Sequence, residues 1–270
     1  MDHKDALRDG YSRSAPVYDQ TAGMSYVKAL WRLLPRVSVG PQPSILDLGC
    51  GTGLNLLEAA RTLGPCRALV GVDISPGMIE VAKRKAMSAG VAATFTVSDA
   101  EKLAAADGSF DLVICNSVYH WFADRGRTVA EIARVLRPGG QLLLACVAHP
   151  GFGEWARVVD DVRARLFGKP QAWLPALPTS VELYEHLAAA GFSVEHLSYE
   201  LDSMPVLDVP AFLQTMSVIA PTWLTGVADG SRRTFMGAVA EAMSKKAPSS
   251  GFMVTTAGMG AVARRPRLEA

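Results

Sequence analysis

Ser44-Ile45-Leu46-Asp47-Leu48-Gly49-Cys50-Gly51-Thr52-Gly53 is the stretch on which the reading of this chain turns. Ile45, Leu46 and Leu48 form a short apolar run, the pattern of a strand buried on both faces. Glycines follow at 49, 51 and 53, and Leu54 to Leu63 then has helical spacing, with Leu54, Leu57 and Ala60 or Arg61 on one side. The order is strand, glycine turn, helix. Glycine reaches dihedrals closed to other residues and lets a ligand approach the backbone, and free N–H groups at a helix start favour an anionic or polar ligand group. Such a turn either receives a ligand or only joins strand to helix tightly.

The second half of the signal lies downstream. Ala68-Leu69-Val70-Gly71-Val72-Asp73 is another apolar run, and its terminal acid stands twenty positions after Gly53. In mononucleotide-binding α/β folds an acid at that distance caps the second strand and accepts hydrogen bonds from ribose hydroxyls. Asp73 also precedes Ser75-Pro76, where Ser75 suits a helix N-cap and Pro76 the first turn. The two roles are compatible, and together the glycines and the acid predict a nucleoside site.

The glycine spacing is G-x-G-x-G, not the G-x-G-x-x-G of dinucleotide enzymes. Asp47-Leu48-Gly49-Cys50-Gly51-Thr52-Gly53 resembles the first motif of the class I S-adenosylmethionine-dependent methyltransferases. Asp73-Ile74-Ser75-Pro76-Gly77-Met78 resembles their second, acidic motif, Ser98-Asp99-Ala100 the third, and Phe110-Asp111-Leu112-Val113 to Asn116 the fourth. Arg134-Val135-Leu136-Arg137-Pro138-Gly139-Gly140 is similar to the turn before their fifth strand. The resemblance runs in order from about residue 44 to 147. It implies an α/β fold, a Rossmann-like seven-stranded, mostly parallel sheet with helical cap insertions. It implies S-adenosylmethionine as cofactor, with S-adenosylhomocysteine as product. Contacts to it are implied at Asp47, Gly49, Cys50, Gly51, Gly53, Asp73, Ile74, Met78, Asp99, Ala100 and Asn116. Asp99 is expected to face the adenine, accepting from its exocyclic amino group while the Ala100 N–H donates to a ring nitrogen. Asp99 as a plain loop acid and Met78 as a core residue are the alternatives.

The alternation of patterns independently predicts a parallel sheet covered on both faces. Strands are expected at 44–48, 68–72, 93–98, 110–116 and 141–147, and helices near 54–63, 76–89 and 124–136. Ligands of open α/β sheets lie outside the carboxyl ends of the strands, which gathers Gly49 to Gly53, Asp73, Asp99 and Asn116 on one rim. Beyond Cys146, helices are expected at 152–167, 180–190 (Ser180 as a possible cap), 209–216 and 232–246, and strands at 193–201 and 254–263; the resemblance implies that the last is inserted antiparallel. A proline-broken loop from Lys169 to Pro178 holds Trp173, and insertions at 148–178 and 203–250 should cap the rim. Residues 1–40 read as an N-terminal helical lid, 41–147 as the cofactor-binding core and 148–270 as completion of the sheet with cap helices, in a single globular unit.

The 270 residues are 49% hydrophobic and carry a formal net charge of +1, so no strong global field invites nucleic acid or an anionic membrane. Cys50, Cys66, Cys115 and Cys146 show neither a C-x-x-C pair nor metal-ligand spacing, which suits a reducing compartment. No signal-like run and no apolar stretch near the ~20 residues of a membrane span is seen, so a cytoplasmic protein is expected. Asp124 and Glu154 are carboxylates near the rim without ligand spacing, and no metal is expected.

The acceptor end is read from Asn116-Ser117-Val118-Tyr119-His120-Trp121-Phe122 and from the N-terminus. Lys4 to Gly10 fits a short helix, Tyr11 to Asp19 an irregular segment, and Tyr26 to Leu34 an amphipathic helix with Tyr26, Ala29, Leu30 and Leu33 on one face. His120 and Trp121 resemble the H/Q-W segment of methyltransferases acting on carboxylic acids, including the trans-aconitate, juvenile-hormone-acid and malonyl-carrier-protein enzymes. The last of these resembles the whole chain in outline. The resemblance implies that Tyr11, Tyr18, Tyr119, His120 and Trp121 border the acceptor, and Tyr11 and Tyr18 otherwise pack the N-terminal helix down. His120 is a candidate general base, or else a donor that orients a substrate oxygen. Arg13, Arg125, Arg232 and Arg233 are candidates for holding an acidic substrate, since guanidinium suits a carboxylate fork; Arg264, Arg265 and Arg267 read as an exposed tail.

The expectation is a methyltransferase for a small-molecule or carrier-protein-bound acceptor, acting on a carboxylate oxygen, as monomer or homodimer. An N-, C- or phenol O-methyltransferase of natural-product biosynthesis, with His120 as base, is the alternative. A nicotinamide-dependent oxidoreductase and a non-catalytic cofactor-binding protein are the readings outside methyl transfer.

Overall fold

The computed structural model describes residues 3–23, 30–168, 176–247 and 250–267. Among them, β1 (Ser44–Leu48), β2 (Ala68–Asp73), β3 (Thr94–Val97), β4 (Phe110–Asn116), β5 (Leu136–Val147), β6 (Ser193–Val206) and β7 (Phe252–Arg264) form one sheet in the order β3-β2-β1-β4-β5-β7-β6. The first five strands run parallel, and β7 runs antiparallel to both β5 and β6. Helices α1 (His3–Ser14), α2 (Leu54–Leu63), α3 (Pro76–Ser88), α4 (Arg125–Val135), α5 (Gly153–Phe167), α6 (Ser180–Ala189), α7 (Val209–Ile219) and α8 (Asp229–Lys246) complete it.

Side-chain alternation along the central strands builds the two layers. On β1, Leu46 and Leu48 join a core with Val129 and Ile132 of α4 and Leu183 and Leu187 of α6. Ile45 points the other way, to Leu56 and Ala59 of α2 and Ile79 and Ala82 of α3. Every residue of β1 and β4 is buried, which explains their unbroken apolar reading. A third cluster lies off the sheet: Trp155 of α5 packs edge-on against Trp223 at a centroid distance of 5.5 Å, and Phe235 of α8 lies 5.6 Å from Trp223. The chain reverses direction across the sheet between β1 and β4, and this switch opens a crevice at their carboxyl ends.

Several boundaries differ from expectation. The α1 helix runs through Tyr11 to Ser14, a segment expected to be irregular. Strand β5 begins at Leu136, because the Arg137-Pro138-Gly139-Gly140 turn is pulled into the sheet: Gly139 N–H donates to Arg265 O (2.8 Å) and Arg265 N–H to Gly140 O (2.9 Å). Arg264 pairs with Glu195, and Arg265 donates to the carbonyls of Arg134 and Leu136, so these arginines fasten β7 and are no loose tail. Thr179, not Ser180, caps α6, accepting from Glu182 N–H. Of the expected helix at 26–34, Leu30 is fully buried and Leu33 half-buried, while Tyr26 and Ala29 lie outside the described residues, as does Trp173.

The end of the sheet opposite the crevice is held by Asp111. Its buried carboxylate accepts from Ser44 N–H (2.7 Å) and Arg67 (3.1 Å) and pairs with Arg137, joining the starts of β1, β4 and β5. Asp111→Ala leaves an amide and two guanidinium groups without their acceptor and should cost about 2 kcal/mol by urea unfolding. Because the clamp sits at the far ends of the strands, ligand affinity of the folded fraction, measured by calorimetry, should stay within about twofold; a large loss would mean that the clamp sets the crevice as well.

Candidate functional site

The glycine turn after β1 is fixed from two directions. A Cβ on Gly49 would lie 2.5 Å from Val118 Cγ2, so the segment after β4 approaches too closely for any side chain there. Gly51 has φ +51 and no atom within 4 Å of its Cβ position, so its left-handed backbone asks for glycine while its surroundings stay open. Gly51 N–H donates to Asp73 Oδ2 (2.9 Å) and Ser75 N–H to Asp73 Oδ1 (2.8 Å). Burial raises the Asp73 pKa above the ordinary carboxylate value, against the opposing pull of these amides. Ser75 also caps α3, its hydroxyl accepting from Met78 N–H at 3.2 Å.

A cleft of about 790 Å³ opens over this turn. Gly49, Gly51, Asp73, Ile74, Met78, Asp99, Ala100 and Asn116 line its sheet side, and Tyr11, Tyr18 and Trp121 line it from across. Three residues expected to touch a ligand lie beneath it. Gly53 is the left-handed N-cap of α2, with φ +81. Cys50 is buried, its sulfur 2.9 Å from where a Cβ on Gly71 would stand. Asp47 is fully buried; Asn55 Nδ2 donates to its Oδ1 at 3.5 Å, Asn116 Nδ2 donates to Asn55 Oδ1 at 3.3 Å, and Asp47 Oδ2 has no hydrogen-bond partner among the described residues. Burial pushes the Asp47 pKa well above the usual range, and the nearby Asp73 charge adds to it while the Asn55 bond opposes.

The N-terminal segment roofs the cleft. Helix α1 lies so close to α3 that a Cβ on Gly77 would stand 2.8 Å from Ser12 O, and the Ser12 and Ser75 hydroxyls are 2.9 Å apart. Lys4 forms ion pairs with Asp99 (2.7 Å) and Glu101 (2.9 Å). Burial opposes the Lys4 charge, but the two carboxylates outweigh it and raise its pKa; Lys4 in turn holds Asp99 below its ordinary value despite burial. Farther on, Thr52 Oγ1 donates to Asp19 (2.5 Å), which also pairs with Lys85 (2.7 Å). The Tyr11 hydroxyl donates to Ile219 O at the end of α7 (2.8 Å), tying roof to cap.

A second chamber, of about 510 Å³, adjoins through Tyr11, Tyr18, Ser117 and Trp121, and His120 lines it with Phe152, Trp155 and Met216. His120 is 5% exposed, and burial, with the Arg125 charge, pushes its pKa down to about 3. It is therefore a neutral imidazole at neutral pH, and its Nδ1 has no partner among the described residues. Tyr119 does not border the chamber: it is buried in the core against α6, its hydroxyl 2.8 Å from His186 Nδ1. The four arginines proposed to hold an acid lie elsewhere. Arg125 pairs with Glu182 (2.7 Å) and donates to Ala176 O, Arg232 pairs with Asp229 (3.0 Å), and Arg13 and Arg233 are exposed. Asp124 caps α4 and Glu154 accepts from Thr255, so both carboxylates have structural partners.

The sequence reading missed Lys4, Ser117, Val118 and Phe152. Lys4 was within reach, since Lys4, Leu7 and Tyr11 share one face of a helix by spacing. Ser117 was not: it sits at the end of β4 with φ +56, a left-handed conformation that a serine does not announce.

Residues 46–144 match the methyltransferase domain family. The chain is 33% identical to a malonyl-[acyl-carrier protein] O-methyltransferase of Geobacter sulfurreducens over 79% of this chain and 79% of that protein. It is 34% identical to a demethylmenaquinone methyltransferase of Thermus thermophilus over 62% of this chain and 82% of that one. It spans only 33%, 49% and 53% of three further relatives. Among solved structures, the [4+2]-cyclase SpnF shares the fold at TM-score 0.65 and 20% identity, over 97% of this chain and 96% of that one.

Two outcomes test the turn. Asp73→Ala removes the acceptor of two backbone amides as well as the acid on the cleft wall, and should weaken adenosyl-ligand binding by roughly 10- to 100-fold by calorimetry; unchanged affinity would sink the assignment. Asp47 binds its proton more tightly in the native state than in the unfolded chain, whose carboxylate titrates near ~4. Its stabilising contribution is thus present below that pH and is lost as pH rises through the native value. Asp47→Asn should unfold at higher temperature than wild type at pH 7, with the difference closing toward pH 4.

Proposed function

This chain belongs to the methyltransferase-domain family of class I S-adenosylmethionine-dependent enzymes, and from that premise we propose that its acceptor atom is the oxygen of a carboxylate. S-adenosylmethionine is the cofactor. The described residues suit it: Asp73 is an ionisable acceptor for ribose hydroxyls, Met78 and Ile74 are apolar walls for a purine, and Asp99 and the Ala100 N–H offer an adenine its acceptor and donor. Asp47 lies buried beneath the turn, with one oxygen unpartnered among the described residues, and its raised pKa makes it a polar support of the turn, not a charge that faces the ligand. Bound there, the cofactor supplies a methyl group already made electrophilic by its sulfonium.

What remains for the chain is to align an oxygen with that methyl and keep water out, a task of proximity and orientation. One observation carries the choice of oxygen. Among the described residues bordering the junction of the two chambers (Asn116, Ser117, His120, Trp121, Tyr11 and Tyr18), none is an ionised base, and His120 has its pKa near 3. Asp99 and Glu101 lie at the other end of the cleft, engaged by Lys4. A phenol or a protonated amine would need its proton removed before attack; a carboxylate is ionised at neutral pH. Neutral His120 is then a hydrogen-bond partner that orients the carboxylate, with Ser117 beside it. The malonyl-[acyl-carrier protein] relative is named for O-methylation of an acid and supports this reading, with the acceptor free or carrier-bound. Among the described residues no helix is long and apolar enough to cross a membrane, and four free thiols fit a reducing cytoplasm.

With a carboxylic acid acceptor, kcat should show no ionisation near pH 6.5, and His120→Gln should keep kcat within about tenfold while raising KM. An inflection between pH 6 and 7 that disappears in His120→Gln would instead make His120 the base and return the acceptor to a phenol or amine.

A further inference from the structure

A third cleft, of about 1440 Å³, continues from the cofactor cleft, with Asn116 and Ser117 lining both. It runs along the carboxyl end of β5 and across β7 and β6, under α7. Its walls are mostly apolar: Phe152, Met204, Phe212, Met216, Ile219 and Met259. Such a space does not match a short polar diacid.

The floor holds the informative residue. Gly258 pairs with Glu200 in the middle of the β6–β7 ladder and with Val147 at the end of the β5–β7 ladder. Two ordinary reasons for a strand glycine are absent. Its φ is not in the left-handed region, and a Cβ built on it would meet only Cys146 O, at 3.9 Å. Two residues on, Gly260 is a packing glycine, since its Cβ would stand 2.6 Å from Leu33 Cδ1. Neither backbone nor neighbours require glycine at 258, yet a side chain there would stand in the cleft that the residue lines.

We infer that Gly258 keeps the floor of an acceptor channel open and that the acceptor is a carboxylic acid with an extended apolar body, an acyl chain or fused rings, lying between α7 and the sheet with its carboxylate at Ser117. This rests on the carboxylate reading above and adds the size and polarity of the molecule that bears the group. Gly258 touches the acceptor's body and acts as a specificity determinant, remote from the reacting atoms.

The test is binding, with chemistry as a second readout. The protein saturated with S-adenosylhomocysteine is titrated calorimetrically with butanoate, octanoate and dodecanoate. Affinity should rise about fourfold per added methylene until the channel is filled, the burial of one methylene being worth about 0.8 kcal/mol. Gly258→Val, a residue suited to a strand, should weaken dodecanoate at least tenfold and leave butanoate and S-adenosylhomocysteine unchanged, with Gly258→Ala between. Affinities flat across the series, no binding of any acid, or a valine variant that binds dodecanoate like wild type would each overturn the inference. If long acids bind tightly but the product formed with S-adenosylmethionine is no base-labile methyl ester, the acceptor-atom reading fails while the channel stands.

Discussion

Both oxygens of the Asp73 carboxylate are committed to backbone amides, Gly51 N–H on one and Ser75 N–H on the other, and the rim is arranged around that commitment. One acid at the end of β2 thereby fixes the glycine turn after β1 and the start of α3. It adds to the bonds from Cys50 N–H to Val72 O and from Gly53 N–H to Cys50 O, and it alone among these reaches Gly51, whose surroundings are open. The amides do not fully offset the cost of burying the charge, since the Asp73 pKa remains raised. Each carboxylate oxygen has further lone pairs, so the bonds that hold the turn do not exhaust its capacity to accept. At the other end of the sheet Asp111 holds the strand starts with its own set of amide and guanidinium partners. The scaffold is pinned at both ends of its central strands by a carboxylate, and one of the two faces a cleft.

The roof is held differently. Lys4 with Asp99 and Glu101, Thr52 and Lys85 with Asp19, and Tyr11 with Ile219 are partly exposed polar ties, each worth little alone. The apolar contacts of Leu7 and Trp121 with the cap cluster supply the non-directional part of the closure. The roof also shares groups with the ligand: Asp99 answers to Lys4 in the closed roof and is the acceptor expected to meet an adenine. Closure and occupancy therefore bear on the same carboxylate.

The legible parts of this fold were those governed by local rules. The buried runs of β1 and β4, the glycine turn and the Ser75-Pro76 start of α3 carry their signal within a few residues, whereas the antiparallel insertion of β7 came from the family resemblance. Strand β5 was misjudged at its start because the partner that draws Gly139 and Gly140 into the sheet, Arg265, lies more than a hundred residues away. Tyr119 and His120 are neighbours in sequence, and nothing local says that one turns into the core toward His186 and the other into a chamber. Two of the candidate arginines are engaged for a similar reason: Arg125 meets Glu182 where α4 packs on α6, and Arg232 meets Asp229 one turn back on α8, neither of which residue type announces.

Their engagement bears on how the proposed acid would be received. Among the described residues the junction of the chambers holds no arginine fork, so the carboxylate proposed above would meet a neutral imidazole, a serine hydroxyl and aromatic walls. Such a setting solvates an anion poorly, and burying one there is costly, with the cofactor's sulfonium as its countercharge. The methyl-transfer step removes that cost, because a carboxylate oxygen and a sulfonium both lose their charge as the new bond forms. A strong cationic clamp would stabilise the anion before reaction more than in the transition state, raising the barrier. The proposed apolar channel would serve the same end, since affinity drawn from apolar area far from the reacting oxygen can hold a carboxylate in place without neutralising it. On the proposed reading, the absence of an arginine at the junction among the described residues and the apolar surface along the third cleft answer to one electrostatic requirement.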